Sequence, residues 1–175
     1  MVVGKPLFTP EQIQERVKAL AEEITRDYRG KEILAVGILK GAFMFFSDLV
    51  RQIRVPITVD FIIASSYVKT QTTGEVRVYY DVREPLEGKN VLLIEDIVDT
   101  GITLNFIRER ILQRSPESLK ICAFLDKKER RIVDVPIDYK GFVIPNEYVV
   151  GYGLDYDNKY RNLPYIAIFK KSIGV

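Results

Sequence analysis

The stretch Val91 to Leu104, VLLIEDIVDTGITL, constrains this chain more than any other. Four consecutive apolar residues, Val91 to Ile94, are the pattern of a strand buried on both faces of a parallel sheet. Two adjacent carboxylates follow, Glu95 and Asp96, then Ile97 and Val98. The small polar segment Asp99-Thr100-Gly101-Ile102-Thr103 comes next, directly before a helical pattern at Leu104 to Leu112. Strand, acidic pair, glycine turn and helix start each have a chemical use. The N–H groups of the turn and of the first helical turn lack internal partners, and with the helix dipole they favour an anion such as phosphate. Thr100 and Thr103 can add hydroxyl donors. Glu95 and Asp96, acceptor-only when ionised, suit sugar hydroxyls or the water shell of a hard cation such as Mg²⁺.

That run resembles the 5-phosphoribosyl-1-pyrophosphate signature of the type I phosphoribosyltransferases, two acidic residues followed by a D-T/S-G-x-T loop. Without the resemblance, Glu95 and Asp96 would end a strand and Asp99-Thr100 would cap a helix. Neither a G-x-G-x-x-G dinucleotide fingerprint nor a P-loop is present.

At 175 residues and 47% hydrophobic, the chain suits one domain with a full core, 1–175. A net charge of +2, from 26 basic and 24 acidic residues, gives little reason to expect nucleic acid or membrane as the main partner. The absence of His removes His-based triads and the commonest metal ligand. Cys122, the one cysteine, lies in the apolar run Leu119 to Leu125 and reads as a buried small hydrophobe. No apolar run spans a bilayer and no signal-peptide pattern occupies residues 1–20, which points to a cytoplasmic protein.

In chain order, Thr9-Pro10-Glu11-Gln12 fits a capping box opening a helix to about Tyr28, with Ile13, Val17, Leu20, Ala21 and Ile24 on one face. Glu32 to Leu39 reads as a buried strand, followed by Lys40-Gly41-Ala42 and a helix from Phe43 to about Arg51. A lysine and a glycine between a parallel strand and a helix sit where α/β folds place ligands. A third strand, Ile57 to Ala64, contains Asp60, a polar residue with no evident purpose. Ser65 to Gly74 reads as the long mobile tip of a hairpin returning through Glu75 to Asp81. Ser118 to Leu125 is a further buried strand, and Asp126 to Arg131 is a charge run of the kind usually found in a solvated loop.

The tail from Gly141 to Phe169 resembles the purine-covering hood of the hypoxanthine-guanine phosphoribosyltransferases, so the likeness runs collinearly from Lys40 to Phe169. It implies an α/β fold with a central, mainly parallel β-sheet flanked by helices, the core at about 30–135, and a small hood from about 1–12 and 136–175. It also implies that Leu39, Lys40 and Gly41 line the pyrophosphate site with a cis peptide between Leu39 and Lys40. Arg161 would hold pyrophosphate oxygens, and Ser66-Tyr67 would belong to a lid that excludes water. Glu95, Asp96 and the loop from Asp99 through Thr103, Ile102 included, would bind the phosphoribosyl group. Asp99 would act as general base or acid at purine N7. Tyr148 would stack on the purine, the backbone of Val149 would read its 2-position edge, and Lys127 would donate to the 6-oxygen, with Lys128 as the alternative. Asp155 would sit near Mg²⁺ and pyrophosphate, making Glu95, Asp96 and Asp155 the candidate metal set. Three positions depart from the family pattern: Ile102 where some members have Lys, Lys128 where many bacterial ones have Pro, and Tyr148 where Phe is usual.

The implied reaction is transfer of 5-phosphoribose from its 1-pyrophosphate to N9 of hypoxanthine or guanine, with Mg²⁺ as cofactor. The implied partners are small-molecule substrates and further copies of the chain in a homodimer or homotetramer, with no nucleic acid and no membrane. Two rivals share the fold: a regulatory nucleic-acid-binding protein, and a phosphoribosyltransferase for adenine, xanthine or a pyrimidine.

Overall fold

The computed structural model describes residues 2–67 and 75–170, with the side chains of Val2, Val3 and Tyr67 also outside the description. A six-stranded sheet has the order β4-β3-β2-β5-β6-β7. Its strands are β2 (Ile33–Leu39), β3 (Ile57–Tyr67), β4 (Glu75–Tyr80), β5 (Asn90–Val98), β6 (Ser118–Asp126) and β7 (Tyr139–Val143). All pairings are parallel except β3 with β4. The helices are α1 (Pro10–Asp27), α2 (Phe43–Val50) and α3 (Ile102–Leu112).

Strand alternation divides the apolar residues into two layers. Ile33 and Ala35 of β2 and Leu92 and Ile94 of β5 pack with the apolar faces of α1 and α2. Their neighbours Leu34, Val36, Val91 and Leu93 pack instead against Leu104, Ile107 and Ile111 of α3. This two-sided burial is why β2 and β5 are continuous apolar runs. Cys122 is fully buried in the first layer, where burial pushes its thiol pKa up. The helix α1 opens as expected, Gln12 N donating to Thr9 Oγ1 at 3.2 Å and Thr9 N to Gln12 Oε1 at 2.9 Å.

The hood is a second sheet, β1 (Val2–Phe8), β9 (Ile166–Lys170) and β8 (Val149–Val150), antiparallel throughout. Its strands come from both ends of the chain. Two boundaries differ from the sequence reading. Residues 139–143, placed with the hood, form the edge strand of the large sheet because Cys122 to Asp126 pair with them. The helix α1 belongs to the core, since its buried face is continuous with that of α2.

Two strands run past their expected ends. β3 continues to Tyr67, Ser65 and Ser66 pairing with Arg77 and Val76, so the expected lid tip is strand in its first residues. The rest of that tip, 68–74, and the side chain of Tyr67 lie outside the described residues. β5 runs through the acidic pair to Val98, because Ile97 and Val98 still pair with Leu125 and Asp126.

Asp60 also finds its purpose. Its buried carboxylate accepts from the backbone N–H of Phe61 (2.7 Å), Arg83 and Glu84 (both 2.8 Å), fixing the chain that leaves β4. Three backbone donors, those of Phe61, Arg83 and Glu84, lose their acceptor in Asp60→Ala, each costing on the order of 1 kcal/mol. Urea unfolding should therefore show a loss of roughly 2–4 kcal/mol. A loss below about 1 kcal/mol would mean that water replaces the carboxylate without penalty.

Candidate active site

The parallel strands β2, β5 and β6 all end at one edge of the sheet, where the polar residues singled out in the sequence collect. A cleft of about 570 Å³ opens there, lined by Ser65 and Ser66 of β3, Glu95 of β5, the loop Asp99-Thr100-Gly101, Thr103 and, from the hood, Asp155. Gly101 starts α3 with a left-handed backbone (φ 83°) and no side-chain cap. A Cβ there would meet the Val133 carbonyl at 2.4 Å, so glycine is required on both counts. The back of the loop is held by Ile132 N and Val133 N, which both donate to the Thr100 carbonyl at 2.9 and 3.0 Å. Held from behind, the loop turns the start of α3 toward the cleft, a fit for an anion.

The two acids are neighbours with different tasks. Glu95 is buried and lines the cleft, its Oε1 accepting from Asp96 N at 2.9 Å. Asp96 accepts from Ile97 N at 2.6 Å and lies under the turn after β2, where a Cβ on Gly41 would come within 1.9 Å of Asp96 Oδ2. Burial raises the pKa of Glu95 well above the carboxyl range, and the charge of Asp96 raises it further. Burial raises Asp96 too, against the opposing effects of the Glu95 side chain, the Ile97 N–H and Arg161.

The Leu39–Lys40 peptide is cis. Leu39 and Lys40 border a second concavity of about 300 Å³ with Phe43, Ile63 and Arg161. The guanidinium of Arg161 donates to the Gly153 carbonyl at 2.7 Å and to Asn158 Oδ1 at 3.2 Å, and approaches Asp155 Oδ1 at 3.4 Å. Tyr152, Asp157, Asn158 and Tyr160 all have positive φ in this loop, a concentration of backbone strain of the kind found at binding sites. Gly153 comes so close to the Lys40-Gly41 turn that a Cβ would lie 2.2 Å from the Gly41 carbonyl, which seats the hood loop on that turn.

Lys127 and Tyr148 meet beyond the Asp99 loop. The lysine is only 8% exposed, and its Nζ lies 5.9 Å from the centre of the Tyr148 ring. Desolvation lowers its pKa, partly offset by the charge of Asp99. The Tyr148 ring is 51% exposed and its hydroxyl donates to the Asp155 carbonyl at 2.9 Å. Val149 is buried in β8, paired with Ile168. Lys128 points outward from the 3₁₀ turn Lys128–Arg130.

The charge run is solvated only at Lys128, Glu129 and Arg130; its two ends are drawn in. Asp126 is 1% exposed and ion-paired to both Arg131 and Lys140, the latter at 2.7 Å. Arg130 Nε donates to Asp99 Oδ1 at 2.7 Å, and Arg131 Nε to the Asp99 carbonyl at 3.2 Å. Sequence reasoning gave neither arginine a role; the Arg-Arg pair one turn after a strand end was the available signal. The candidate metal set fares differently. Among the described residues no group of three or more acidic, His or Cys side chains is arranged to hold an ion. Asp155 is engaged by Arg161 and Asn158 N, and Asp96 accepts from Ile97 N.

A family model, the phosphoribosyl transferase domain, matches residues 8–157. The hypoxanthine-guanine phosphoribosyltransferase of Streptococcus thermophilus is 45% identical over 98% of this chain and 96% of its own. The hypoxanthine phosphoribosyltransferase of Salmonella typhimurium is 49% identical over 92% and 93%. The chain belongs to the hypoxanthine-guanine phosphoribosyltransferases. The crystal structure of the Bacillus anthracis hypoxanthine-guanine phosphoribosyltransferase, with a HEPES molecule in its active site, superposes with a TM-score of 0.93 at 48% identity, covering 97% of this chain and 100% of that one. Within this family fold the cleft lies at the C-terminal edge of the parallel strands, where α/β sheets bind ligands.

The raised Glu95 carboxyl has a consequence for stability. The folded state binds its proton more tightly than the unfolded chain, whose glutamates titrate near 4.3, so this contribution is complete below about 4.3 and is lost as pH rises through the higher folded value. The melting temperature of the metal-free protein should fall as pH is raised through the elevated Glu95 value. Glu95→Gln, which keeps the neutral shape, should show a flatter slope. An unchanged slope in that variant would assign the pH dependence to other groups.

Proposed function

We propose that this chain, as one phosphoribosyltransferase domain over 1–175, transfers 5-phosphoribose from its 1-pyrophosphate to N9 of hypoxanthine or guanine. The observation that carries the reading is the set of groups gathered around one sheet edge: acids and an anion-binding loop line the cleft, and beyond the Asp99 loop a buried lysine lies beside an exposed aromatic residue. On this reading Thr100, Gly101, Ile102 and Thr103 bind the 5-phosphate, with Glu95 and Asp96 beneath the ribose. Leu39, Lys40, Gly41 and Arg161 bind pyrophosphate, and Ser66 and Tyr67 belong to the lid. Tyr148 stacks on the base, the Val149 backbone reads its edge, and Asp155 stands near the pyrophosphate.

The bond from C1 to the pyrophosphate oxygen breaks with its electron pair leaving on pyrophosphate, and the N9 lone pair forms the new bond. The proton lost from the purine at N7 passes to Asp99. Carboxylates below the sugar favour the positive charge that grows on it. Asp99 is already paired to Arg130, but an ion pair at this exposure is worth only about 0–1 kcal/mol, so a purine can displace it.

The oxygen donors here fit Mg²⁺ held mainly by substrate, because this ion keeps its waters and uses one or two carboxylates with phosphate oxygens. Bound there, it would supply charge neutralisation for the leaving pyrophosphate. Glu95, with Asp96 and Asp155 at longer reach, would hold its water shell. The reading extends to a cytoplasmic homodimer or homotetramer acting on small molecules.

Removing the base without removing the loop separates two roles. Asp99→Asn should lower kcat by about 10²–10⁴ while phosphoribosyl pyrophosphate affinity stays within a few-fold. An effect confined to the Michaelis constant would make Asp99 a positioning group.

Base choice tests the whole reading. Lys127 has donors only, matching a 6-oxygen and opposing the 6-amino group of adenine. Its burial against Tyr148, with Lys128 exposed, supports Lys127 as the reader. Product formation from a panel of bases should favour hypoxanthine and guanine. Lys127→Met should cost roughly ten- to a hundredfold with both while narrowing the gap to adenine. Full discrimination retained in that variant would overturn the assignment.

A further inference from the structure

At the opposite edge of the sheet from the cleft, α1 leads into the start of β2 and α2 leads into the start of β3. Between the ends of these helices lies a concavity of about 360 Å³ whose walls carry Lys18, Arg26, Arg29, Arg51 and Arg54, against the single carboxylate of Glu22. Thr25 and Gln52 complete it.

Most arginines elsewhere in the molecule are engaged. Arg16 donates to the carbonyls of Gly141 and Lys140, Arg110 reaches Asp81, Arg131 reaches Asp126 and Arg161 contacts Asp155. The guanidinium groups of Arg26, Arg29 and Arg54 have no hydrogen bond or ion pair among the described residues, nor does the Lys18 ammonium. Arg51 is tied to Asp48 and to the Ser47 carbonyl.

Helix dipoles account for part of this. Arg26 sits in the last turn of α1 and Arg51 at the end of α2, where a cation is favoured. They do not account for Arg29 and Arg54, which lie beyond the helices, or for Lys18, more than two turns inside α1. Five like charges converging on one concavity repel each other, and an anion in it relieves that repulsion. Planar guanidinium forks match phosphate oxygens in pairs. No aromatic ring lines the walls, so nothing there would stack a nucleobase. The volume is at the lower end of the small-molecule range.

We propose that this concavity is a second anion site, which binds an oligophosphate chain through Arg26, Arg29 and Arg54 and is separate from the catalytic cleft. The inference does not rest on the catalytic reading.

The test is calorimetric titration of the full chain with inorganic tripolyphosphate at about 0.15 M salt, where weak screening by exposed charges is suppressed. The wild type should show a binding component that Arg26→Ser/Arg29→Ser/Arg54→Ser weakens about tenfold or more, while the variant still unfolds in one cooperative transition, its ligand-free melting temperature shifted by no more than a few degrees. Any tripolyphosphate bound in the catalytic cleft persists in both proteins. The charge-conserving triple lysine variant should fall between them, since the paired donors are lost and the charge is kept. Identical isotherms for wild type and triple serine variant would overturn the proposal. So would an RNA oligonucleotide that displaces tripolyphosphate at lower concentration than tripolyphosphate itself binds, which would make this a nucleic-acid surface. A wild type that binds no tripolyphosphate here, together with a variant that loses its oligomeric state in sedimentation, would overturn it in favour of an interface between copies.

Discussion

One buried carboxylate ties the candidate active site together from behind. Asp126, at the end of β6, is 1% exposed and holds Arg131 on one side and Lys140 of β7 on the other. A lone charge so deeply buried would cost several kcal/mol, so its two cationic partners are a condition of its being there. Arg131 then reaches on to the Asp99 carbonyl and packs where Gly101 has no side chain, a Cβ at that glycine lying 2.9 Å from Arg131 Cδ. The loop that starts α3 is therefore set by a contact made outside it. Its open face, the one turned to the cleft, is left to a ligand.

A second set of close approaches fixes the hood against the core. Asp96 lies under Gly41, and Gly41 lies under Gly153 of the hood loop, each contact too short for any Cβ. This stack places Asp96 against the Lys40-Gly41 turn, while Glu95 lines the cleft. Adjacent residues of a strand point to opposite sides, so β5 can present only one of the two acids fully to the cleft. The other supports the cis turn and the hood. Tyr152 strengthens the same junction, its hydroxyl donating to Asp48 Oδ2 of α2 at 2.6 Å.

Much of this was legible in the residue order. The β5-loop-α3 unit, the Lys40-Gly41 turn and the capping box of α1 are local features, and local features leave local patterns. Lys127 and Tyr148 were found through resemblance rather than through any pattern of their own. Strands β1, β7, β8 and β9 were not read as strands: β7, β8 and β9 have at most five residues, and β1 pairs with β9 at the other end of the chain. Asp60 had no explanation because its acceptor role depends on the N–H groups of Arg83 and Glu84, more than twenty residues distant. Asp126 to Arg131 read as solvated for the same reason. A charge run looks solvated until a distant partner, here Lys140 on Asp126, is in place.

The net charge is silent about where the charges lie. A sum of +2 describes a molecule without strong electrostatic preference, yet the charges are not mixed. Glu95, Asp96, Asp99 and Asp155 gather at the C-terminal edge of the parallel strands, and Lys18, Arg26, Arg29, Arg51 and Arg54 gather at the opposite edge. Fields at a surface are set by local clusters, since screening in physiological salt acts over about 8 Å, well under the length of the strands that separate the two edges. Each edge therefore acts on its own ligands. At the acidic edge the start of α3, Lys40 and Arg161 lie near the carboxylates as positive counterparts. At the basic edge compensation is partial: Asp48 holds Arg51 and Glu22 is the one carboxylate in the concavity, against five cations.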